Sequence, residues 1–174
     1  MNADFAVSLA RIVEDREWLS SMERCALAFS DFRSRLPSIP YAYSRTGLIV
    51  KPEYELVAMH WAPGSISPIH DHGASRCWTL MLQGTLDVQN FEREDEASVS
   101  RVILHETGTL TLCSGDVDNR LNERELHCVR NTSNESAYTL QLYAKPIHRY
   151  SIVDAHTLES RIVTASHDLI IDLT

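Results

Sequence analysis

A mainly β fold with a short helical preface is what this chain predicts, on three observations. Segments rich in β-branched and aromatic residues follow one another from Tyr41 onwards, turn residues separate them at near-regular spacing, and helix-period patterning is confined to the residues before Pro37. Short strands in such number form a sandwich or a small barrel. With 174 residues and 44% hydrophobic content the chain can bury one core, so a single domain over residues 1–174 is expected.

In chain order, Phe5, Leu9, Ile12 and Val13 recur at helical spacing, and Leu19, Met22, Ala26 and Phe29 do so again behind Trp18. Two or three α-helices are therefore expected within residues 1–38. Pro37 and Pro40 stop them, because proline lacks the N–H and drives the residue before it towards extended geometry. Strands are then expected over Gly47 to Val50, Glu55 to Trp61, Cys77 to Leu82, Thr85 to Asn90, Arg101 to His105, Thr109 to Cys113, Glu125 to Val129 and Ala137 to Tyr143. Glu92-Arg93-Glu94-Asp95-Glu96 reads as a solvated hairpin tip, and the tail from Ile162 to Leu173 as one or two closing strands. Gly64, Gly84 and Gly115 mark turns that need positive φ or close backbone approach.

Charge and composition narrow the function. The net charge of −8 has no long run, which disfavours nucleic acid and anionic membrane as partners. No apolar run reaches the roughly 18 to 20 residues of a membrane span, and Met1-Asn2-Ala3-Asp4-Phe5 lacks the basic and apolar regions of a signal peptide. A cytoplasmic protein, monomeric or weakly self-associating, is expected. Cys25, Cys77, Cys113 and Cys128 contain no C-x-x-C pair, and a reducing compartment argues against disulfides.

The most informative run is Gly64-Ser65-Ile66-Ser67-Pro68-Ile69-His70-Asp71-His72, joined downstream by His127 in Leu126-His127-Cys128-Val129-Arg130-Asn131. Three neutral imidazoles can grip a divalent metal on one side and leave the other open to substrate. Gly64, five residues, His70-x-His72, four residues, Cys77, six residues, Gly84 is similar to the first cupin motif, with Cys77 where that motif has glutamate. His127-x-x-x-Asn131 is similar to the end of the second. The fold so implied is a cupin-type small β-barrel (jelly-roll) over residues 39–174, preceded by the helical segment 1–38.

Cys77 narrows the resemblance further. His70-Asp71-His72-Gly73-Ala74-Ser75-Arg76-Cys77, with Leu82-Gln83-Gly84-Thr85-Leu86 behind it, closely resembles the cysteine dioxygenase family of thiol dioxygenases. That resemblance implies Fe(2+) held by His70, His72 and His127, and a Cys77 able to become linked through sulfur to the ring of Tyr143. Tyr43-Ser44-Arg45 is similar to the family's Tyr-x-Arg, whose arginine binds the substrate carboxylate. The implied partners are a small thiol and O2, and the implied product is a sulfinate: cysteine sulfinate from L-cysteine, with 3-mercaptopropionate as the alternative substrate. Family members acting on the latter tend to carry glutamine in place of the arginine, so Arg45 leans towards cysteine. A cupin enzyme without thiol chemistry usually keeps the motif glutamate. A ligand-sensing cupin would be expected to carry a DNA-binding domain, for which about 38 N-terminal residues without a basic patch give little support.

Elementary chemistry points to the same residues. Neutral ligands leave the full charge on Fe(2+), which attracts a thiolate and lowers the thiol pKa. Alternation in a strand puts Thr139, Gln141 and Tyr143 on one face and Tyr138, Leu140 and Leu142 on the other, and lets Tyr43 and Arg45 share a face. Two positions depart from the family pattern. Gln141 stands where a histidine is usual, and it can bond a phenol without carrying a proton between pH 5 and 8. Ala144-Lys145-Pro146 replaces Ser-Pro-Pro, and without proline at 145 a cis bond there, costing about 2.5 to 4 kcal/mol, is not expected. His60, His105, His148, His156 and His167 read as surface or hydrogen-bonded residues, Cys25, Cys113 and Cys128 as small hydrophobes, and Trp61 and Trp78 as packing residues.

Overall fold

The computed structural model describes residues 15–94, 101–120, 124–171 and 173. The helix expected around Phe5 to Val13 lies outside them. Asp15 caps helix α1 (Arg16–Leu27), its carboxylate accepting from the N–H groups of Glu17 and Trp18 at 2.8 and 3.1 Å. The helix buries Ser21, Met22, Cys25 and Ala26. Ala28 then leaves helical geometry, so Phe29 opens a separate single turn, α2 (Phe29–Phe32), followed by a 3-10 turn at Arg33–Arg35. Leu36 is extended at φ −69° and ψ 130°, as the residue before a proline should be.

Twelve strands follow among the described residues: β1 (Tyr43–Val50), β2 (Tyr54–Trp61), β3 (Ile69–His70), β4 (Arg76–Gln83), β5 (Thr85–Arg93), β6 (Leu104–Cys113), β7 (Val117–Arg120), β8 (Glu125–Arg130), β9 (Ala137–Ala144), β10 (Arg149–Val153), β11 (Ser160–Thr164) and β12 (Leu169–Ile170). They form two six-stranded sheets, ordered β12-β1-β2-β9-β4-β7 and β11-β10-β3-β8-β5-β6. The expected jelly-roll is therefore observed as two separate sheets. Side chains close it, with no backbone ladder between the sheets among the described residues: Val57, Met59, Trp61 and Met81 of the first sheet meet Leu86, Val88, Leu112 and Val129 of the second. The helices cover the other face of the first sheet, where Met22 and Phe32 pack with Leu48, Leu56, Trp78, Leu80, Leu140 and Leu142.

Several expectations need correcting. Arg101 to His105 and Thr109 to Cys113 are not two strands. β6 joins Leu104 and His105 of the first region to the whole of the second, while Arg101 to Ile103 lie outside it; Gly108 at φ 147° stands opposite a register shift at Asn90/Phe91, so the glycine accommodates an irregularity within a strand instead of ending it. Glu92 and Arg93, expected in a solvated tip, belong to β5, and Arg93 is buried. Asp95 and Glu96 lie outside the described residues. Strands β3, β7 and β10 were not anticipated; β3 and β7, of two and four residues, are too short to carry a periodicity. The tail does supply closing strands: β11 pairs with β10, and β12 with β1 in parallel, one on each sheet.

Candidate functional site

The pocket lies between the sheets, and each sheet contributes one kind of chemistry. On the second sheet β3 pairs with β8 in a register that sets His70 opposite His127. His72 follows in the loop after β3. Asp71 shapes that loop, its Oδ1 accepting from the N–H groups of Gly73 at 2.8 Å and Ser151 at 2.9 Å. Glycine is required at 73: φ is +53°, and a Cβ there would sit 2.2 Å from the Arg149 carbonyl oxygen. The ring centroids of the three histidines are 4.6 to 5.3 Å apart, and one donor nitrogen from each lies within 4.8 Å of the others.

This donor set fits a divalent transition metal. Burial lowers the pKa of His70 against the opposing Pro68 hydrogen bond and Asp71 charge, and drives those of His72 and His127 well below the usual value, with His70 and the Arg120 cation acting in the same direction on both. All three are thus neutral imidazoles at neutral pH, able to serve as metal donors. His70 Nδ1 lies 3.0 Å from the Pro68 carbonyl, which only accepts, so Nδ1 carries the proton and Nε2 the lone pair.

The first sheet supplies the polar wall. Tyr43, Arg45, Gln141 and Tyr143 line the same cleft of about 390 Å³, open solvent included, as His70, His72 and His127. Arg45 Nη1 donates to the Tyr143 hydroxyl at 3.4 Å and Nε to the Ser166 carbonyl at 3.2 Å, while Nη2 is buried without a hydrogen-bond partner among the described residues. The Tyr143 hydroxyl donates to Gln141 Oε1, and burial raises its pKa well above the ordinary phenol range. Tyr43 stacks against Trp61 at 4.8 Å. Cys77 is not a lining residue. It lies beside Tyr143, directly opposite it on β4 in the β4–β9 ladder, and burial pushes its thiol up to about 12.

Where the chain leaves β9, the Ala144–Lys145 peptide bond is cis, against the expectation. Contacts remote in sequence surround this turn: Ser75 Oγ donates to the Lys145 carbonyl, and the Ile147 N–H donates to buried Glu55 at 3.0 Å. Local preference is overridden by tertiary context. Other residues read as bland are so placed: His60 bonds Ser136, His105 pairs with exposed Glu94, and Trp78 is core. Asn131 of the second motif ties a turn, its Nδ2 donating to the Trp61 and Glu135 carbonyls at 3.0 and 2.8 Å.

Sequence reasoning missed Tyr150, whose ring centroid is 5.9 Å from that of His70, and the Ser166 to Asp168 segment that holds Arg45. The aromatic and β-branched content of Tyr150, Ile152 and Val153 was a usable strand signal. The polar tail segment carried none.

Solved structures share this architecture. A hydroquinone 1,2-dioxygenase superposes with a TM-score of 0.51 at 15% identity, covering 66% of this chain and 71% of that one. A Klebsiella pneumoniae protein with a double-stranded β-helix domain does so at 0.50 and 13%, covering 65% and 80%. The fold is that of a cupin, and it brings three histidines together that could hold a metal ion. The chain belongs to the cysteine dioxygenase type I family, whose model matches residues 39–156. It is 31% identical over 113 residues to cysteine dioxygenase type 1 of Rattus norvegicus and, equally, of Homo sapiens. That match covers 64% of this chain and 55% of either relative. No helix among the described residues is long and apolar enough to cross a membrane.

Proposed function

We propose that this protein is a thiol dioxygenase that adds both atoms of O2 to the sulfur of a small carboxylate-bearing thiol, R–SH + O2 giving R–SO2H, with L-cysteine as substrate and Fe(2+) as cofactor. One observation carries the reading: three neutral imidazoles share a pocket with a guanidinium whose Nη2 is buried and unpartnered. His70, His72 and His127 would hold the iron. When bound, Fe(2+) supplies redox chemistry with O2 and a charge that lowers the thiol pKa, since its ligands cancel none of it.

The remaining steps belong to side chains of this chain. Arg45 donates from Nη2 to the substrate carboxylate, which fixes the direction of the thiol relative to the histidines. Tyr143 keeps its proton and serves as a hydrogen-bond donor, held by Gln141 Oε1 on one side and by Arg45 Nη1 on the other. Gln141 orients that phenol and relays no proton. Tyr43 and Trp61 form an aromatic wall that limits the substrate to a small thiol. Cys77 and Tyr143, cross-strand neighbours, are assigned a thioether in the mature protein: the S–H and one ring C–H bond break, a C–S bond forms, and O2 takes the two hydrogens to become H2O2, so the intact mass falls by about 2 Da.

The test is anaerobic loading with Fe(2+), then oxygen uptake with a panel of thiols and product identification by mass spectrometry. One-to-one consumption of O2 and L-cysteine with a gain of two oxygens is the expected result. Uptake confined to thiols without an amine moves the substrate to 3-mercaptopropionate, and no uptake with any thiol overturns the reading.

A further inference from the structure

The chain passes from β11 on one sheet to β12 on the other through Ser166, His167 and Asp168, and in doing so it grips Arg45. Asp168 Oδ2 accepts the Arg45 backbone N–H at 2.8 Å, and the Asp168 N–H donates to the Arg45 carbonyl at 2.8 Å. The Ser166 carbonyl accepts the guanidinium Nε–H at 3.2 Å. Between these two residues, His167 Nε2 meets Glu55 Oε2 at 2.9 Å, and the carboxylate can only accept, so the imidazole donates. Glu55 is 2% exposed and takes the Ile147 N–H on its other oxygen at 3.0 Å. The segment is thus anchored to the core at its centre while its flanking residues hold Arg45.

The consequence is directional. Arginine on a strand is ordinarily mobile, and a mobile guanidinium must be ordered when an anion binds. Here Nε is committed to Ser166 and Nη1 to Tyr143, which leaves Nη2, buried on a residue that lines the pocket, as the guanidinium nitrogen without a partner among the described residues. The match to the family ends at residue 156, so all three gripping residues lie beyond it.

We infer that Ser166, His167 and Asp168 are positioning residues that orient Arg45 before substrate arrives and so select thiols bearing a carboxylate, an inference that rests on Arg45 as the carboxylate partner. The measurement uses the full chain, folded as judged by circular dichroism. His167→Ala and Asp168→Ala are compared with His167→Gln and Asp168→Asn, which retain the donor and the acceptor. Anaerobic titration of the Fe(2+)-loaded protein gives Kd for L-cysteine and for 2-aminoethanethiol, which has the thiol and amine without the carboxylate. Both alanine variants weaken L-cysteine about tenfold or more, leave 2-aminoethanethiol unchanged, and are rescued by their conservative partners. In the metal-free protein, NMR shows faster exchange of the Arg45 Nε proton.

An unchanged L-cysteine Kd overturns the inference, and so does an equal loss for both thiols, which marks general disruption. If His167→Ala does not fold, His167→Met decides, since it fills the ring's space without donating to Glu55. Arg45→Ala separates the two levels. If it weakens L-cysteine while the tail variants do not, the positioning role alone falls. If Arg45→Ala has no effect, the carboxylate reading falls and the positioning role with it.

Discussion

The two faces of β9 are equally dry and chemically opposite. Outward, Tyr138, Leu140 and Leu142 join Met22, Phe32 and Trp78 beneath the helices. Inward, Thr139, Gln141 and Tyr143 face the space between the sheets, and relative exposure is 0% for Leu140, 6% for Gln141 and 2% for Tyr143. Burial alone therefore does not distinguish them. The inner polar groups persist because they are paired: Trp61 Nε1 donates to Thr139 Oγ1 at 3.2 Å, and Tyr143 donates to Gln141. Unpaired, each would cost on the order of 1–3 kcal/mol. One face holds the strand in place, and the other uses that rigidity to aim side chains.

The comparison breaks most visibly at the histidines. Because removing even an outer partner of a metal ligand costs 10- to 100-fold in affinity, His127→Ala should weaken metal binding by more than about a hundredfold and abolish thiol-dependent O2 uptake. Metal titration of the folded variant checks this, and retained stoichiometric binding would contradict the assignment. Arg45→Ala comes next. Truncating a buried charge partner costs roughly 2–5 kcal/mol, which should appear in kcat/KM for L-cysteine from steady-state kinetics. Near-normal kinetics would remove Arg45 from the substrate site.

On the outer face, Leu140→Ala should cost about 2–5 kcal/mol of stability in urea unfolding of the metal-free protein. Metal affinity of the molecules that remain folded should stay within about twofold of wild type. A parallel loss of metal affinity would show that the two faces are not separable. Smaller still, Gln141→Leu leaves the Tyr143 hydroxyl without its acceptor and should cost roughly 1–3 kcal/mol in the same assay.

The smallest effect is a pH dependence at Glu55. Burial raises its pKa, but the His167 hydrogen bond, the Ile147 N–H and the Arg45 cation together hold it below the ordinary 4.5. The unfolded chain therefore takes up the proton first. The stabilisation is complete above pH 4.5 and is lost as pH falls through the lower folded value. Glu55→Gln should be less stable than wild type near neutrality, and urea titrations should show the gap closing in acid. A gap that does not vary with pH would mean that the carboxylate charge contributes nothing.

How far the sequence could be read depended on how local each signal was. The period-two faces of β9 and the shared face of Tyr43 and Arg45 could be read, because side-chain alternation follows from neighbouring residues. The spacing of His70, His72 and His127 singled out the three histidines that the fold brings together. The position of Cys77 beside Tyr143 could not be read from it, because it follows from the β4–β9 register. Two-residue β3 has too little sequence to show a period, although it carries a histidine of the site.

Composition and spacing by themselves determined the β-rich class, the proline stop after the helices and the cast of chemically able residues, since each follows from the covalent character of a few adjacent units. Tertiary structure alone decided that two separate sheets would enclose the site, that the bond after Ala144 would be cis, and that Ser166 would reach Arg45 across 121 positions of chain. The reason is that such pairings are stabilised by partners distant in sequence, and no local propensity encodes which partners those are.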